Sequence, residues 1–397
     1  MPTSPAEQSI WVRDLGTSKV SLSDAEINAK YERGEGRIVV ENNREKLPGF
    51  VEQLQNRDYM DLRPFYQRRP RWDTIRQSRL IESFLINLPV PPVFLYEKNF
   101  NSYEVMDGQQ RITAIKDFYE NKFALKGLQH WPELNGRSYH NLPTTVKAGI
   151  DRRAISSIVM LRESAPQGEE ALLLRQIVFE RLNTGGVELE RQEIRNALFP
   201  GPLNDLIISL SSDDVIRDAW NLPRYDPEEI TKGDPRLMSD PFFQKMEDAE
   251  LVLRFFALRN AQHYARGMQG FLDIYMMRAS HLGDEIIDEL RAEFQLTVFV
   301  ASEIYRDKVF RPFVNTKEEW SARPQKAFYD AVMVGISQNL DIVDQLVESR
   351  LDIIAATEEL FKQHEDGTFT GRGNSKADVI NRIRLFSEML RSFEKNK

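Results

Sequence analysis

Cysteine is missing from all 397 residues. That excludes disulfides, thiolate metal sites, thiol nucleophiles and cysteine redox chemistry. Histidine is scarce, and His130, His140, His263, His281 and His364 show no metal-nuclease spacing. A site built from Cys and His together has too few ligands here; only His364, near Asp366 and a Gly-rich loop, stands where chemistry is conceivable. There is no run of about 18 apolar residues, which excludes a spanning helix. The opening MPTSPAEQSIWVRDLG lacks the basic-then-apolar order of a signal peptide. A soluble, cytoplasmic protein is expected. Also missing are G-x-x-x-x-G-K-[ST], a G-x-G-x-x-G after a strand, G-x-S-x-G and H-E-x-x-H, so P-loop, dinucleotide, hydrolase-elbow and zincin chemistries are set aside.

An excess of positive charge is lacking too. Residues 1–200 hold 28 basic and 27 acidic residues; by difference from 53 and 61, residues 201–397 hold 25 and 34. The first half is near neutral and the second carries a net −9. A generic phosphate-backbone binder is basic over its contact face, so a polyanion site belongs in the first half.

The length suggests two or three structural units at about 100–200 residues each. Periodicity predicts an α+β protein: an N-terminal arm with one helix (1–45), a small α/β domain (46–165) and a helical domain (166–397). In the arm, Ser23 and Glu26 form a capping-box pattern and RIVV (37–40) is a short strand candidate. Asp73 caps an amphipathic helix carrying Ile75, Leu80, Ile81, Phe84 and Leu85. VFLYE and SYEVMD flank the polar KNFN as a hairpin, a helix follows from about Gln109, and AISSIVML is a strand. Beyond about residue 168 only helical periodicity is expected.

Three segments can carry chemistry. In SYEVMDGQQRITAIKDFY a strand ends at Asp107, Gly108 permits a tight turn, and a helix starts with Gln109, Gln110 and Arg111. The N–H groups of a helix start favour an anion, Arg111 adds a fork suited to phosphate, and Asp107 can hold Mg²⁺ or a ribose hydroxyl. Read alone, the same residues serve equally as an ordinary helix start, with Asp107 as cap and Arg111 as a surface cation. Around RPFYQRRPRW, Arg63, Arg68, Arg69, Arg71 and Arg76 outweigh Asp61 and Asp73, and Tyr66 and Trp72 offer faces for base stacking; the alternative is a solvated basic loop with Trp72 in the core. The third segment, FERLNTGGVELERQEIRNALF, reads as a helix-turn-helix corner at Gly185-Gly186.

Taken together, the segments resemble the N-terminal domain of GmrSD-type restriction enzymes, bacterial defence proteins whose hallmark is a strand-loop-helix ending in D-G-Q-Q-R. The matching residues are Tyr66-Gln67-Arg68 with Trp72, Leu80-Ile81-Glu82-Ser83 leading to Leu88-Pro89-Val90-Pro91, Asp107 to Arg111 with Ile112-Thr113, Phe179 to Gly186, and Gln192 to Arg195. The resemblance implies a ParB/sulfiredoxin-like α/β fold that binds a nucleoside triphosphate and, in some members, hydrolyses it to control a nuclease acting on modified or phage DNA. Carried over, Asp107, Gly108, Gln109, Gln110 and Arg111 form the phosphate and metal loop. Within it Asp107, Gln110 and Arg111 are catalytic and Asp107 binds Mg²⁺, while Tyr66, Gln67 and Arg68 lie against the nucleotide. Sulfiredoxin chemistry does not carry over, because its reactive cysteine has no counterpart.

Relatives often continue into an HNH nuclease domain with a His-containing metal motif, and no such constellation occurs here. The expectation is a stand-alone Mg²⁺-dependent nucleoside triphosphatase subunit of an anti-phage or restriction system, which controls a partner nuclease without cutting DNA itself. The alternative is a ParB-like module in which nucleotide switches homodimerisation or DNA binding without turnover. In either case the acidic helical half can dock a basic partner.

Overall fold

The structure is a computed structural model, and it describes residues 5–11, 23–32, 39–56, 58–61, 72–161, 178, 190–225, 235–364 and 367–394. Tyr66, Gln67 and Arg68 lie outside the described residues, as does the segment from Phe179 to Gly186. The chain is α+β and divides into two units, Thr17–Leu189 around a sheet, and Met1–Gly16 with Glu190–Lys397 in helices.

In chain order the first elements are α1 (Pro5–Ser9), α2 (Asp24–Glu32), β1 (Val40–Lys46), α3 (Leu47–Gln53), β2 (Met60–Asp61), α4 (Thr74–Leu85), β3 (Val93–Asn99), β4 (Ser102–Asp107), α5 (Gln109–Tyr119), α6 (Thr144–Asp151) and β5 (Ala154–Met160). The sheet runs β1-β5-β3-β4-β2. β3 and β4 are the antiparallel hairpin, with Leu95 opposite Val105, and β3 runs parallel to β5, with Val93 opposite Ser157. The turn works because Asn101 takes a left-handed conformation (φ 60°), which Asn tolerates.

One face of the sheet carries the core. Val93, Leu95, Ile155 and Val159 meet Leu47 and Phe50 of α3, Ile81 and Phe84 of α4, and Ile112, Ile115 and Phe118 of α5, all at most 3% exposed. Period-2 strands and period-3.6 helices each turn one apolar face to this layer. Asp73 caps α4 by accepting from the Arg76 N–H at 2.8 Å. Trp72 is packed against this core, the alternative to base stacking.

Glu82 is 5% exposed on α4 and accepts the backbone N–H groups of His130 (2.7 Å) and Trp131 (3.1 Å). Burial pushes its carboxyl up, but these hydrogen bonds, with that of Gln129, prevail and hold it below the ordinary value. It thus pins the 129–131 loop to α4. A depressed carboxyl stabilises the fold above its unfolded value of about 4.3 and loses that contribution as pH falls through the lower folded value. Glu82→Gln is expected to cost about 1–2 kcal/mol at neutral pH and less in acid, where the unfolded carboxyl is protonated and the advantage of the ionised folded form shrinks. Urea titrations at pH 7 and pH 3 check this; an equal difference at both would reject it.

The second unit is built from helices, among them Arg191–Leu198, Pro202–Leu210, Glu247–Leu258, Gly267–Ala279, Asp284–Tyr305, Lys326–Ser337, Arg350–Gln363 and Lys376–Arg391. Contrary to the expectation of helix alone, Phe313–Val314 and Glu319–Trp320 pair as two short antiparallel strands; two residues are too few to show a period. α1 belongs to this unit. Its Glu7, fully buried, meets the Arg259 guanidinium at 3.1 Å and accepts from Tyr275 and Asn260.

Candidate functional site

β4 delivers Asp107 to the edge of the core, and the chain then turns sharply into α5. The turn is Gly108, at φ 94° and ψ 10°, a left-handed conformation at the N-cap position. A Cβ there would lie 2.6 Å from Val93 Cγ1 and 3.0 Å from Arg111 Nη2. Only glycine fits both the dihedral and the space. Asp107 is not the cap: the N-cap position is Gly108, which has no side chain to accept a start N–H, and the first helical bond runs from the Ile112 N–H to the Gly108 carbonyl at 2.9 Å. The N–H groups of Gln110 and Arg111 therefore have no acceptor within the helix.

Arg111 is not a loose surface cation either. Its side chain is 15% exposed, its Nη2 lies 2.7 Å from Asp107 Oδ2, and the same nitrogen makes a long contact of 3.4 Å to the Pro92 carbonyl. Arg111 Nε is buried with no hydrogen-bond partner among the described residues. Asp107, 28% exposed, receives only Arg111 among the described residues, which leaves Oδ1 available. Gln109 and Gln110 are half-buried beside the pair. Pro92 and Val93, which hold Arg111 and wall Gly108, are contributors that the sequence reading missed. The V-P-P-V run before β3 was the only signal.

Phosphate fits these groups: a buried guanidinium nitrogen without a partner, a turn whose missing Cβ leaves room for close approach, and helix-start N–H groups at the positive end of the helix dipole. A magnesium ion fits less completely. Asp107 is one carboxylate, and no group of three His, Cys, Asp or Glu able to hold a metal occurs among the described residues. Mg²⁺ commonly binds through one or two carboxylates, with phosphate and water oxygens completing the octahedron. The residues suit a cation that arrives with phosphate, not a cage made by protein alone.

The other motif residues serve the fold. Glu82 holds a loop. Gln192, Glu193 and Arg195 lie at 1% exposure in the Arg191–Leu198 helix, where Glu190 and Glu193 form a capping box. Arg195 donates to Asp273 (2.7 Å), Gln192 (3.1 Å) and Glu250 (3.3 Å). His364 lies edge-on to Phe369, and His263 stacks on Trp11 at 4.6 Å.

Residues 50–200 match the family model of the GmrSD restriction endonuclease, N-terminal domain. The match spans the Asp107–Arg111 turn and continues through the Arg191–Leu198 helix. No curated protein and no solved structure matches the chain. No described helix is long and apolar enough to cross a membrane.

Proposed function

We propose, from the membership of residues 50–200 in the GmrSD restriction endonuclease N-terminal domain family, that this restriction-system component binds a nucleoside triphosphate at the Asp107–Arg111 turn and hydrolyses it to regulate a partner nuclease. The observation that carries the reading is the left-handed Gly108, which sets the Arg111 guanidinium, with its unpartnered buried Nε, against the start of α5. Arg111 and the Gln110 and Arg111 N–H groups hold phosphate oxygens. Gln110, half-buried in the first turn of α5, is available to orient an attacking water. Asp107 would hold Mg²⁺, which when bound neutralises charge on the phosphates. Tyr66, Gln67 and Arg68 complete the nucleotide site by resemblance. The net −9 of residues 201–397 favours a basic protein partner over direct DNA contact by that half.

The test is a thermal-shift screen of the four nucleoside triphosphates with Mg²⁺. A ligand at 100 times its dissociation constant stabilises by about 2.7 kcal/mol. Arg111→Ala removes a charged hydrogen-bond donor, each such bond being worth about 1.5–3 kcal/mol, so affinity by calorimetry should fall roughly 10- to 150-fold. The fold should survive, because a partly exposed ion pair contributes about 1 kcal/mol or less. Unchanged affinity in Arg111→Ala rejects the site.

A further inference from the structure

At one end of the sheet the apolar layer gives way to polar side chains around two cavities. Asn43 and Glu45 of β1 lie opposite Ser157 and Ile155 of β5, and Asn43, Glu45 and Ser157 help to line a small cavity of about 30 Å³. Tyr59 and Tyr103 border it, their rings edge to face at 5.2 Å. The same two tyrosines line a wider cavity of about 520 Å³ that reaches the β3–β4 turn, where Phe100 is 81% exposed. β4 runs from Ser102 to Asp107, so both cavities lie at the far end of that strand from the Gly108 turn.

Glu45 is half-buried without a counter-charge. Its one hydrogen bond comes from the neutral Gln53 amide, and burial pushes its carboxyl up. The Asn43, Ser157 and Tyr59 side chains make no hydrogen bond among the described residues. The surrounding field is negative: burial and then the Glu45 charge push the Tyr59 phenol up to about 12, and burial followed by Glu97 and Glu41 raises Tyr103. Lys98, a cation on the wall of the wider cavity, is 3.6 Å from Glu104. A half-buried carboxylate without a counter-charge is costly, and an incoming cation relieves that cost.

We propose that the two cavities form a docking site for a lysine side chain of a partner protein, whose stem passes Tyr59 and Tyr103 and whose ammonium meets Glu45. Room for about two waters suits a compact ammonium and not a planar guanidinium. The three donors of the ammonium find the Glu45 carboxylate, the Ser157 hydroxyl and the Asn43 amide oxygen. The methylenes beside the charge pack on the tyrosines, whose rings also favour a cation. The wider cavity and the exposed Phe100 give the residues flanking the lysine a surface to bury, which a free amine would leave unused.

Calorimetry on the full chain tests this with the blocked peptide Gly-Gly-Lys-Gly-Gly and its versions carrying Nε-acetyl-lysine or arginine at the centre. The lysine peptide is expected to bind about tenfold or more tightly than the other two, since a charged hydrogen bond is worth about 1.5–3 kcal/mol. Glu45→Gln keeps the shape and removes the charge; it should weaken the lysine peptide by about tenfold or more and leave the acetylated peptide unchanged. n-Butylammonium, which has the stem and the charge without flanking chain, should bind about tenfold more weakly than the lysine peptide. No binding of the lysine peptide, equal binding of the acetylated or arginine peptide, or unchanged affinity in Glu45→Gln overturns the proposal. Equal affinity for n-butylammonium would assign the site to a free amine and overturn the protein partner. Unfolding curves verify that Glu45→Gln folds; if it does not, the comparison of lysine with acetyl-lysine on the wild type decides.

Discussion

Arg195→Ala is expected to destabilise the helical unit by about 3–5 kcal/mol, the usual effect of removing one partner from a buried charge cluster. Arg195 is 1% exposed and holds two carboxylates, Asp273 and Glu250, together with Gln192 and Gln269. Alanine leaves both carboxylates in low dielectric, one cation short. For a unit of about 220 residues the loss amounts to roughly 6–20 °C in Tm. The comparison is Arg224→Ala, whose partners Asp214 and Asp218 are more than half exposed; there the cost should stay below about 1 kcal/mol. Acid sensitivity supplies a second readout. Burial pushes Glu250 up, but Lys326, Arg195 and Arg254 overcome it and hold the carboxyl at about 2. A lowered carboxyl stabilises the fold above its unfolded value of about 4.3, and that contribution fades as pH falls toward 2. Without Arg195 the carboxyl rises, so the acid transition of the variant should begin at higher pH. Circular dichroism during urea and acid titration follows both, and a loss under about 1 kcal/mol would mean that the cluster does not carry this unit.

The residues of the resemblance thus divide into two kinds that one sequence could not separate. Asp73, the 93–107 hairpin and the helix after Gly108 are legible because their signals are local: a cap, two alternating runs around a polar turn, a glycine before a helical period. The destination of Glu82 was not legible, since its donors lie 48 and 49 residues downstream. Nor was that of Arg195, whose acceptors sit 55 and 78 residues away. In the helix Gly267–Ala279, Gly267 and Gly270 argue against helix by propensity, and burial of Phe271, Tyr275 and Met276 overrides that preference. α1 was hidden for the opposite reason, being five residues whose one decisive group, Glu7, finds Arg259 more than 250 positions on. At the turn itself the sequence suggested a ligand for Asp107 and another for Arg111. It did not suggest that they meet each other, because the four-residue spacing straddles the left-handed Gly108 and does not lie within a helix.

Gly108→Ala should be the most damaging small substitution in the sheet unit. Two costs combine. An L-residue held at φ 94° is strained by about 1–2 kcal/mol, and forcing a methyl into a packed site costs about 1–3 kcal/mol more. The steric part is specific: the new Cβ would sit 2.6 Å from Val93 Cγ1, and Val93 cannot step aside. It is fully buried, β-branched, and on a strand paired on both sides, with Ser157 of β5 opposite it. The expected loss is therefore about 2–5 kcal/mol, and the nucleotide binding proposed for this turn should weaken, because the same Cβ lies 3.0 Å from Arg111 Nη2 and displaces it. A double-mutant cycle with Val93→Ala separates the two costs. Removing the valine methyl groups relieves the 2.6 Å contact, though not the 3.0 Å approach to Val93 Cβ or the dihedral strain, so the double variant should be more stable than the sum of the single losses by about 1–2 kcal/mol. Binding should return only in part, since Arg111 still faces the added methyl. Strict additivity would place the whole cost in the backbone, and a neutral Gly108→Ala would show that the folded turn is not left-handed.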